Sequence, residues 1–368
     1  MGYRNYYGNK LLKDSQNVQA VTDLLNTCNI VRGNVSKSVE TQIAGFFDVS
    51  YAHLLTNATC GLKSSLMAIH PCPGDVVIIP RVGFISVVNI VLSSGLIPVL
   101  LDVDSDYHLS ADALYDFLQH NAPPVAIFVL HLDGRSANLD KILNVAGAIP
   151  IVEDCAQSFG VKFRNKYVGT FGRFGCFSFN QNKILSSGEG GAVICHDKAD
   201  YMSIVRYSNN GSNSDVYLQF DENSFFGENY TITDICSSLI SYQLNKFSFI
   251  KEQLANNCKE VISLLNKKGI LFSKWHSGDI TVSIRITDKQ AVKTIMDTNV
   301  PYIEWRCSDL TKHPIISKQL SPYKNRYPWN LFKYTIQPEY MQEINGISML
   351  VPLPERNLEK LLIQLERI

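Results

Sequence analysis

The sequence has no excess charge of either sign: 34 Lys and Arg stand against 34 Asp and Glu, for a formal net charge of zero. A balanced surface lacks the basic footprint selected by nucleic acid or an anionic membrane, so neither is expected as a partner. No apolar run approaches the roughly 18 residues that a membrane-spanning helix needs. The opening residues Met1-Gly2-Tyr3-Arg4-Asn5 are polar and lack the apolar stretch of a secretion signal. Gly2 would suit myristoylation, but Tyr6 stands where Ser or Thr is needed. None of the nine cysteines forms a C-x-x-C pair, which excludes a zinc ribbon and a thioredoxin-like motif. Their odd number and scatter read as buried, reduced thiols of a cytoplasmic protein, and no metal is expected. There is no internal repeat and no low-complexity segment.

What is present is a regular alternation. The chain has 368 residues, 45% of them hydrophobic, enough for one large domain and a smaller one. The stretch to about residue 45 reads as irregular chain and then a helix over 36–47. From Ala52 the periods predict helices over 56–70, 84–94, 110–120 and 137–147, the third with Ser110 as candidate N-cap. Between them, short apolar runs predict strands over 75–80, 97–103, 125–131 and 150–153. That order implies a mostly parallel sheet with helices on both faces. Ligands in such sheets bind at the carboxyl ends of strands and at helix N-termini. Asn57, Ala58, Thr59, Phe84, His131 and Asp154 fall on that edge. A further strand is expected over 192–195, then polar loops to about Asn229, then a helix over 231–244 that continues through Ile262. The rest, with a strand over 280–286 and helices over 289–298 and 358–368, reads as a smaller α+β domain. The expected division is residues 1–245 and 246–368.

Two segments carry chemistry. One is Ile151-Val152-Glu153-Asp154-Cys155-Ala156-Gln157-Ser158; the other runs from Phe177-Ser178-Phe179 through Lys183 to Gly188-Glu189-Gly190-Gly191. An acid that ends an apolar strand is well placed to meet a ring nitrogen. A lysine between an aromatic-rich strand and a glycine-rich turn can hold an aldehyde as a Schiff base. Ser178 and Thr59 could bind a phosphate beside backbone N–H groups at helix starts. Taken singly, each feature has a bland reading: a solvated strand-end acid, a surface lysine, a turn.

Taken in order, these segments are similar to the DegT/DnrJ/StrS family of sugar aminotransferases, from about Gly33 to Leu244. The core of the resemblance is Ser178-Phe179, Lys183 and Gly188-Glu189-Gly190-Gly191. Leu55-Thr56-Asn57-Ala58-Thr59 resembles the family's phosphate loop, with Ala58 where glycine is usual. Pro80-Arg81-Val82-Gly83-Phe84 resembles the segment whose aromatic stacks on the cofactor. Asp102-Val103-Asp104 and His131-Leu132-Asp133-Gly134 follow in order. Asp154, Ala156 and Gln157 resemble the segment that pairs with the pyridinium and bonds the ring's 3-oxygen. Gly227-Glu228-Asn229-Tyr230 resembles a loop that reaches the neighbouring subunit's phosphate, and Val351-Pro352-Leu353-Pro354 is a weaker echo.

The resemblance implies a fold-type I transferase dependent on pyridoxal 5'-phosphate, with Lys183 and Asp154 catalytic. The implied cofactor-binding residues are Asn57, Ala58, Thr59, Phe84, Asp154, Gln157, Ser178, Lys183 and Asn229. It implies a homodimer with shared active sites that moves an amino group from glutamate, or glutamine, to a keto-sugar. A nucleotide-linked 3- or 4-keto-6-deoxyhexose is the expected acceptor, for lipopolysaccharide, glycan or antibiotic. Three other readings stay open: a non-nucleotide cyclic ketone as acceptor, a sugar dehydratase on the same scaffold, and a non-catalytic cofactor-binding regulator. Lys183 argues against the dehydratase, whose branch carries histidine there. The chain departs from the family at Arg81, Val82, Asp133, Asn210, Thr231 and Cys236, positions that meet substrate or the second subunit. Trp305, Arg306 and His313 are candidate lining of a substrate cleft.

Overall fold

A computed structural model describes residues 10–213, 222, 224–272, 283–297, 302–304, 309–318, 347–350 and 355–366. Its centre is a seven-stranded sheet formed by β1 (Tyr51–Leu55), β2 (Val76–Pro80), β3 (Ile97–Leu101), β4 (Ala126–Leu130), β5 (Ile151–Asp154), β8 (Phe174–Ser178) and β9 (Gly191–Cys195). Their spatial order is β1-β9-β8-β5-β4-β2-β3. Only β9 runs against the others, pairing antiparallel with β1 and β8; the pairs from β8 through β5, β4 and β2 to β3 are parallel. A short hairpin, β6 (Lys162–Phe163) and β7 (Lys166–Tyr167), lies outside the sheet.

Strand side chains alternate between two apolar layers, as period 2 requires. On β4, Ile127 and Val129 join one layer, and Ala126, Phe128 and Leu130 the other. On β9, Ala192 and Ile194 face the first, and Val193 and Cys195 the second. A sheet buried on both faces explains why its strands read as continuous apolar runs. The covering helices α3 (Ala58–Met67), α5 (Ala111–His120) and α6 (Leu139–Ala146) start at side-chain caps: Asn57, Ser110 and Asn138 each accept from a first-turn backbone N–H. α4 (Ser86–Ser93) has no such cap.

Three differences between the sequence expectations and the structure have a local physical reason. Residues 15–26, expected to be irregular, form α1 (Ser15–Asn26), which packs on α8 (Asp234–Asn245); its buried residue is the polar Asn17, while Val18 and Leu25 are exposed. Within the stretch expected as polar loop lies α7 (Lys198–Ser208), whose buried face includes Asp200, Ser203, Tyr207 and Ser208, polar positions that mask the helical period. The helix expected to run through Ile262 is two: α8 (Asp234–Asn245) and α9 (Phe247–Lys267), parted at Lys246 by a non-helical backbone (φ −104°, ψ 13°). Beyond them, β10 (Ser283–Ile286), β12 (Ile347–Leu350) and β11 (Tyr302–Glu304) form a second, antiparallel sheet. α10 (Lys289–Met296), α11 (Pro314–Ser317) and α12 (Glu355–Glu366) accompany it.

A buried ion pair knits α2 (Asn34–Phe47) to β1 and α7. Arg32 grips Glu40 with two bonds, Nη1 to Oε1 at 2.9 Å and Nη2 to Oε2 at 3.0 Å. Leu54 N donates to Glu40 Oε1 at 2.7 Å, His53 Nδ1 lies 3.1 Å from the same oxygen, and His53 Nε2 lies 2.9 Å from Ser208 Oγ. Arg32 is thereby committed to the fold. Burial alone would raise the Glu40 carboxyl; the hydrogen bond and charge of His53, with the Arg32 guanidinium, outweigh it and hold the group at about 2, against an ordinary 4.5.

A depressed folded-state value stabilises the protein above pH 4.5, and that stability disappears as pH falls towards 2. The shift corresponds to about 3 kcal/mol. Glu40→Gln is expected to lower the unfolding free energy at pH 7 by about that amount and to flatten its acid limb between pH 4.5 and 2. Denaturant unfolding across that pH range checks both.

Candidate active site

The carboxyl ends of β4, β5 and β8 and the first turn of α3 enclose a cavity of about 570 Å³. That is in the range of roughly 300–1,000 Å³ that holds small-molecule ligands. Eight of the nine residues expected at the site line it: Asn57, Ala58, Thr59, Phe84, Asp154, Gln157, Ser178 and Lys183. Asn229 does not. It is exposed, its backbone bridges Asn209, and its Oδ1 accepts from Thr231 Oγ1 at 2.9 Å.

Two neighbouring acids on β5 have opposite fates because successive side chains point to opposite faces. Glu153 is fully buried and saturated: Oε1 accepts from Phe171 N and Gly172 N, and Oε2 from Gly169 N and His131 Nε2. His131 Nδ1 in turn accepts from Ala137 N at 3.1 Å. This imidazole therefore braces the strand end, with its proton on Nε2. Cys155 Sγ lies near both, a grouping that could suit a metal, but the histidine and carboxylate lone pairs are already committed to protein donors. Asp154, on the cavity side, accepts from a single donor among the described residues, Ala156 N at 3.0 Å. Burial pushes its carboxyl above the usual range, against the Ala156 N–H and the charge of Lys183. Burial likewise draws the Lys183 amine below its ordinary value, against the attraction of Asp154.

Lys183 stands on a turn held closed by its own backbone. Phe179 N bonds Gly190 O, Ser187 N bonds Phe179 O, and Lys183 N bonds Asn180 O, all at 2.8–2.9 Å. Gln243 of α8 clamps it from behind: its amide accepts from Ser186 N at 3.0 Å and donates to Ser186 O at 2.6 Å. Asn180 Nδ2 bonds Glu189 Oε1 across the turn at 2.8 Å.

Asn57 Oδ1 caps α3 by accepting from Cys60 N at 2.9 Å. The N–H groups of Ala58 and Thr59 precede the helix's first acceptors and point their partial positive charge out of its end. This end sits against β9 because residue 191 is glycine: a Cβ there would lie 2.4 Å from the Asn57 carbonyl carbon and 2.6 Å from Ala58 N. Phe84, just before α4, is 68% exposed, a large ring left on the cavity rim.

The cavity wall also includes Asn180, Asn182 and Ser283, which no local pattern in the sequence singles out as ligands, and Asp133, one of the departures that the resemblance put near substrate or the second subunit. Of the proposed cleft residues, His313 caps α11 by accepting from Ile315 N at 3.2 Å. Trp305, Arg306 and the 351–354 segment lie outside the described residues.

A lysine, an acid with one protein donor and an open helix N-terminus in one strand-end cavity define the class: an α/β enzyme built to hold a phosphorylated aldehyde cofactor. The chain matches the DegT/DnrJ/EryC1/StrS aminotransferase family over residues 12–298 and belongs to it. It is 32% identical over 255 residues to GDP-perosamine synthase of Escherichia coli O157:H7, covering 66% of this chain and 69% of that protein. To a pyridoxal phosphate-dependent aminotransferase, EpsN, of Bacillus subtilis, described as putative, it is 30% identical over 219 residues, 58% of this chain and 56% of that one. Among solved structures, Helicobacter pylori PseC, an aminotransferase involved in the biosynthesis of pseudoaminic acid, superimposes with a TM-score of 0.81 over 96% of both chains at 18% identity. That likeness carries the fold-type I architecture. The family's cofactor is pyridoxal phosphate, and the cavity suits it in charge and shape: a lysine amine, a carboxylate and unpaired helix N–H groups brought together where only glycine fits.

Gly191→Ala is expected to push the first turn of α3 out of place. Overpacking of this kind costs about 1–3 kcal/mol, so thermal unfolding should fall and pyridoxal phosphate binding, read by its visible absorbance, should weaken at least tenfold.

Proposed function

We propose that this chain is a cytoplasmic, homodimeric aminotransferase that moves an amino group from glutamate to a nucleotide-linked keto-sugar. The observation that carries the reading is the pairing of Lys183 with Asp154 in one cavity at the N-terminus of α3. Bound there, pyridoxal phosphate supplies an electron sink conjugated to the reacting carbon. Lys183 would hold it covalently, and its amine would be the base beside the reacting carbon. Burial favours its neutral amine, the form that accepts a proton. Asp154 would keep the ring nitrogen protonated, and that cation would be the partner its buried carboxylate lacks among the described residues. Gln157 would donate to the ring's 3-oxygen. Ser178, Thr59 and the Ala58 N–H would hold the phosphate, while Asn57 fixes the helix that presents them. Phe84 would cover one face of the ring.

Asn229, outside its own chain's cavity, is assigned to the phosphate of a second subunit. Glu228 supports that assignment by anchoring the loop: it takes a 2.8 Å bond from Lys63 Nζ and one each from the Tyr207 and Tyr230 hydroxyls. The same reading divides the chain at residues 1–245 and 246–368. The sugar acceptor rests on the likeness to GDP-perosamine synthase. Lys183 disfavours a dehydratase, which needs a cofactor free of any lysine.

The purified protein with pyridoxal phosphate is expected to show a visible band that excess glutamate bleaches; Lys183→Ala should lack the lysine-linked band. Amino transfer should then be faster to a nucleotide-linked keto-sugar than to the free sugar. A band indifferent to glutamate would remove the donor assignment, and equal rates with the two sugars would remove the nucleotide.

A further inference from the structure

Asp133 stands on the cavity wall with a left-handed backbone (φ 57°), followed by Gly134 at φ 70°. A residue other than glycine needs a local reason to occupy that region. Here the side chain is clamped. Its carboxylate, 3% exposed, accepts from Ser283 Oγ at 2.9 Å and from Arg285 Nη2 at 3.3 Å, and Arg135 Nη2 lies 3.6 Å away. Arg285 is itself held: Nη2 donates to Asp106 O at 3.0 Å, and its guanidinium lies 4.2 Å from the centroid of the Tyr107 ring. Ser283 and Arg285 belong to β10, so the clamp reaches from the second sheet to the edge of the first.

The same residue acts on the cavity floor through its backbone. Asp133 N donates to Gln157 Oε1 at 2.8 Å. A backbone N–H can only donate, so this bond sets the amide the one way round: oxygen towards Asp133, with no acceptor for either Nε2 proton among the described residues. Rotation of the 132–134 turn would release that amide.

We propose that Asp133 is a positioning residue that couples β10 to the cofactor ring, its side chain anchored by Ser283 and Arg285 and its backbone N–H orienting Gln157. This rests on the reading of Gln157 as the donor to the ring's 3-oxygen. Ser283 lines the same cavity, so a substrate that touches it touches the clamp, and acceptor binding is transmitted to the electronics of the ring. The departure from the family's usual tyrosine at this position thereby acquires a role.

The test is a pH titration of the visible band of the holoenzyme. A donor on the ring oxygen withdraws charge from it; losing the donor returns that charge, which holds the proton on the Lys183 nitrogen more firmly. Gln157→Leu is therefore expected to raise the midpoint. Asp133→Asn should raise it too, by about half a pH unit or more, about threefold in proton affinity. Ser283→Ala, which leaves the charges of Asp133, Arg135, Arg285 and Asp106 in place, should raise it by less and remains informative where Asp133→Asn fails to fold. The double variant Gln157→Leu with Asp133→Asn should match Gln157→Leu alone, because both changes remove one donor. A midpoint unmoved in Asp133→Asn and Ser283→Ala, with Gln157→Leu shifted, overturns the coupling and spares the role of Gln157. An unmoved midpoint in Gln157→Leu overturns that role and the coupling with it.

Discussion

The close approach of β9 to the first turn of α3, which only a residue without a side chain permits at position 191, is the constraint around which the cavity is built. It sets an open helix end beside the end of β8, where Ser178 lies, and beside the turn that carries Lys183. The antiparallel course of β9 serves the same end: it returns the chain from that turn directly between β8 and β1, so the lysine stays at the carboxyl edge of the sheet. Gln243, reaching from α8 to the backbone of Ser186, stiffens this return.

Electrostatics at that edge divide labour between residues one position apart. Glu153 and Asp154 are both buried acids, and four protein donors satisfy the first while one serves the second. A buried carboxylate with a single donor is costly unless another partner arrives. The ring nitrogen assigned to Asp154 under the proposed function is such a partner, so cofactor binding and the stability of the site are linked. His131, which a motif search would flag for proton transfer, is consumed by the satisfied acid.

Two of the departures from the family pattern, Arg81 and Asp133, are occupied by charge networks. Arg81, 2% exposed, pairs with Asp102 at 2.6 Å and Asp309 at 3.2 Å, and so ties the ends of β2 and β3 to the segment before α11. Asp133 ties the 131–135 turn to β10 through Ser283 and Arg285. Both bridge the first sheet to the chain beyond residue 283, and both replace what the resemblance leads one to expect with buried ion pairs. Such pairs are sensitive to geometry, because removing one partner strands the other in a poor solvent for charge.

Much of this was legible in the sequence. Continuous apolar runs announced a sheet buried on both faces, Ser110 announced its helix, the strand–helix order put Asn57, Thr59, Phe84, His131 and Asp154 on one edge, and the resemblance added Gln157, Ser178 and Lys183 to the site. Local signals failed where burial is polar: α7 hides its period behind buried serines and an aspartate, and α1 buries the polar Asn17 while its Val18 and Leu25 are exposed. The sequence alone determined the strand runs, the helix caps and the glycine turns, because strand period, caps and glycines are properties of short segments. Tertiary structure alone decided that Glu153 is spent and Asp154 available, that Arg32 is a brace, and that Ser283 and Arg285 reach Asp133. Those outcomes depend on donors from segments distant in the chain, and no local pattern encodes which of them will meet.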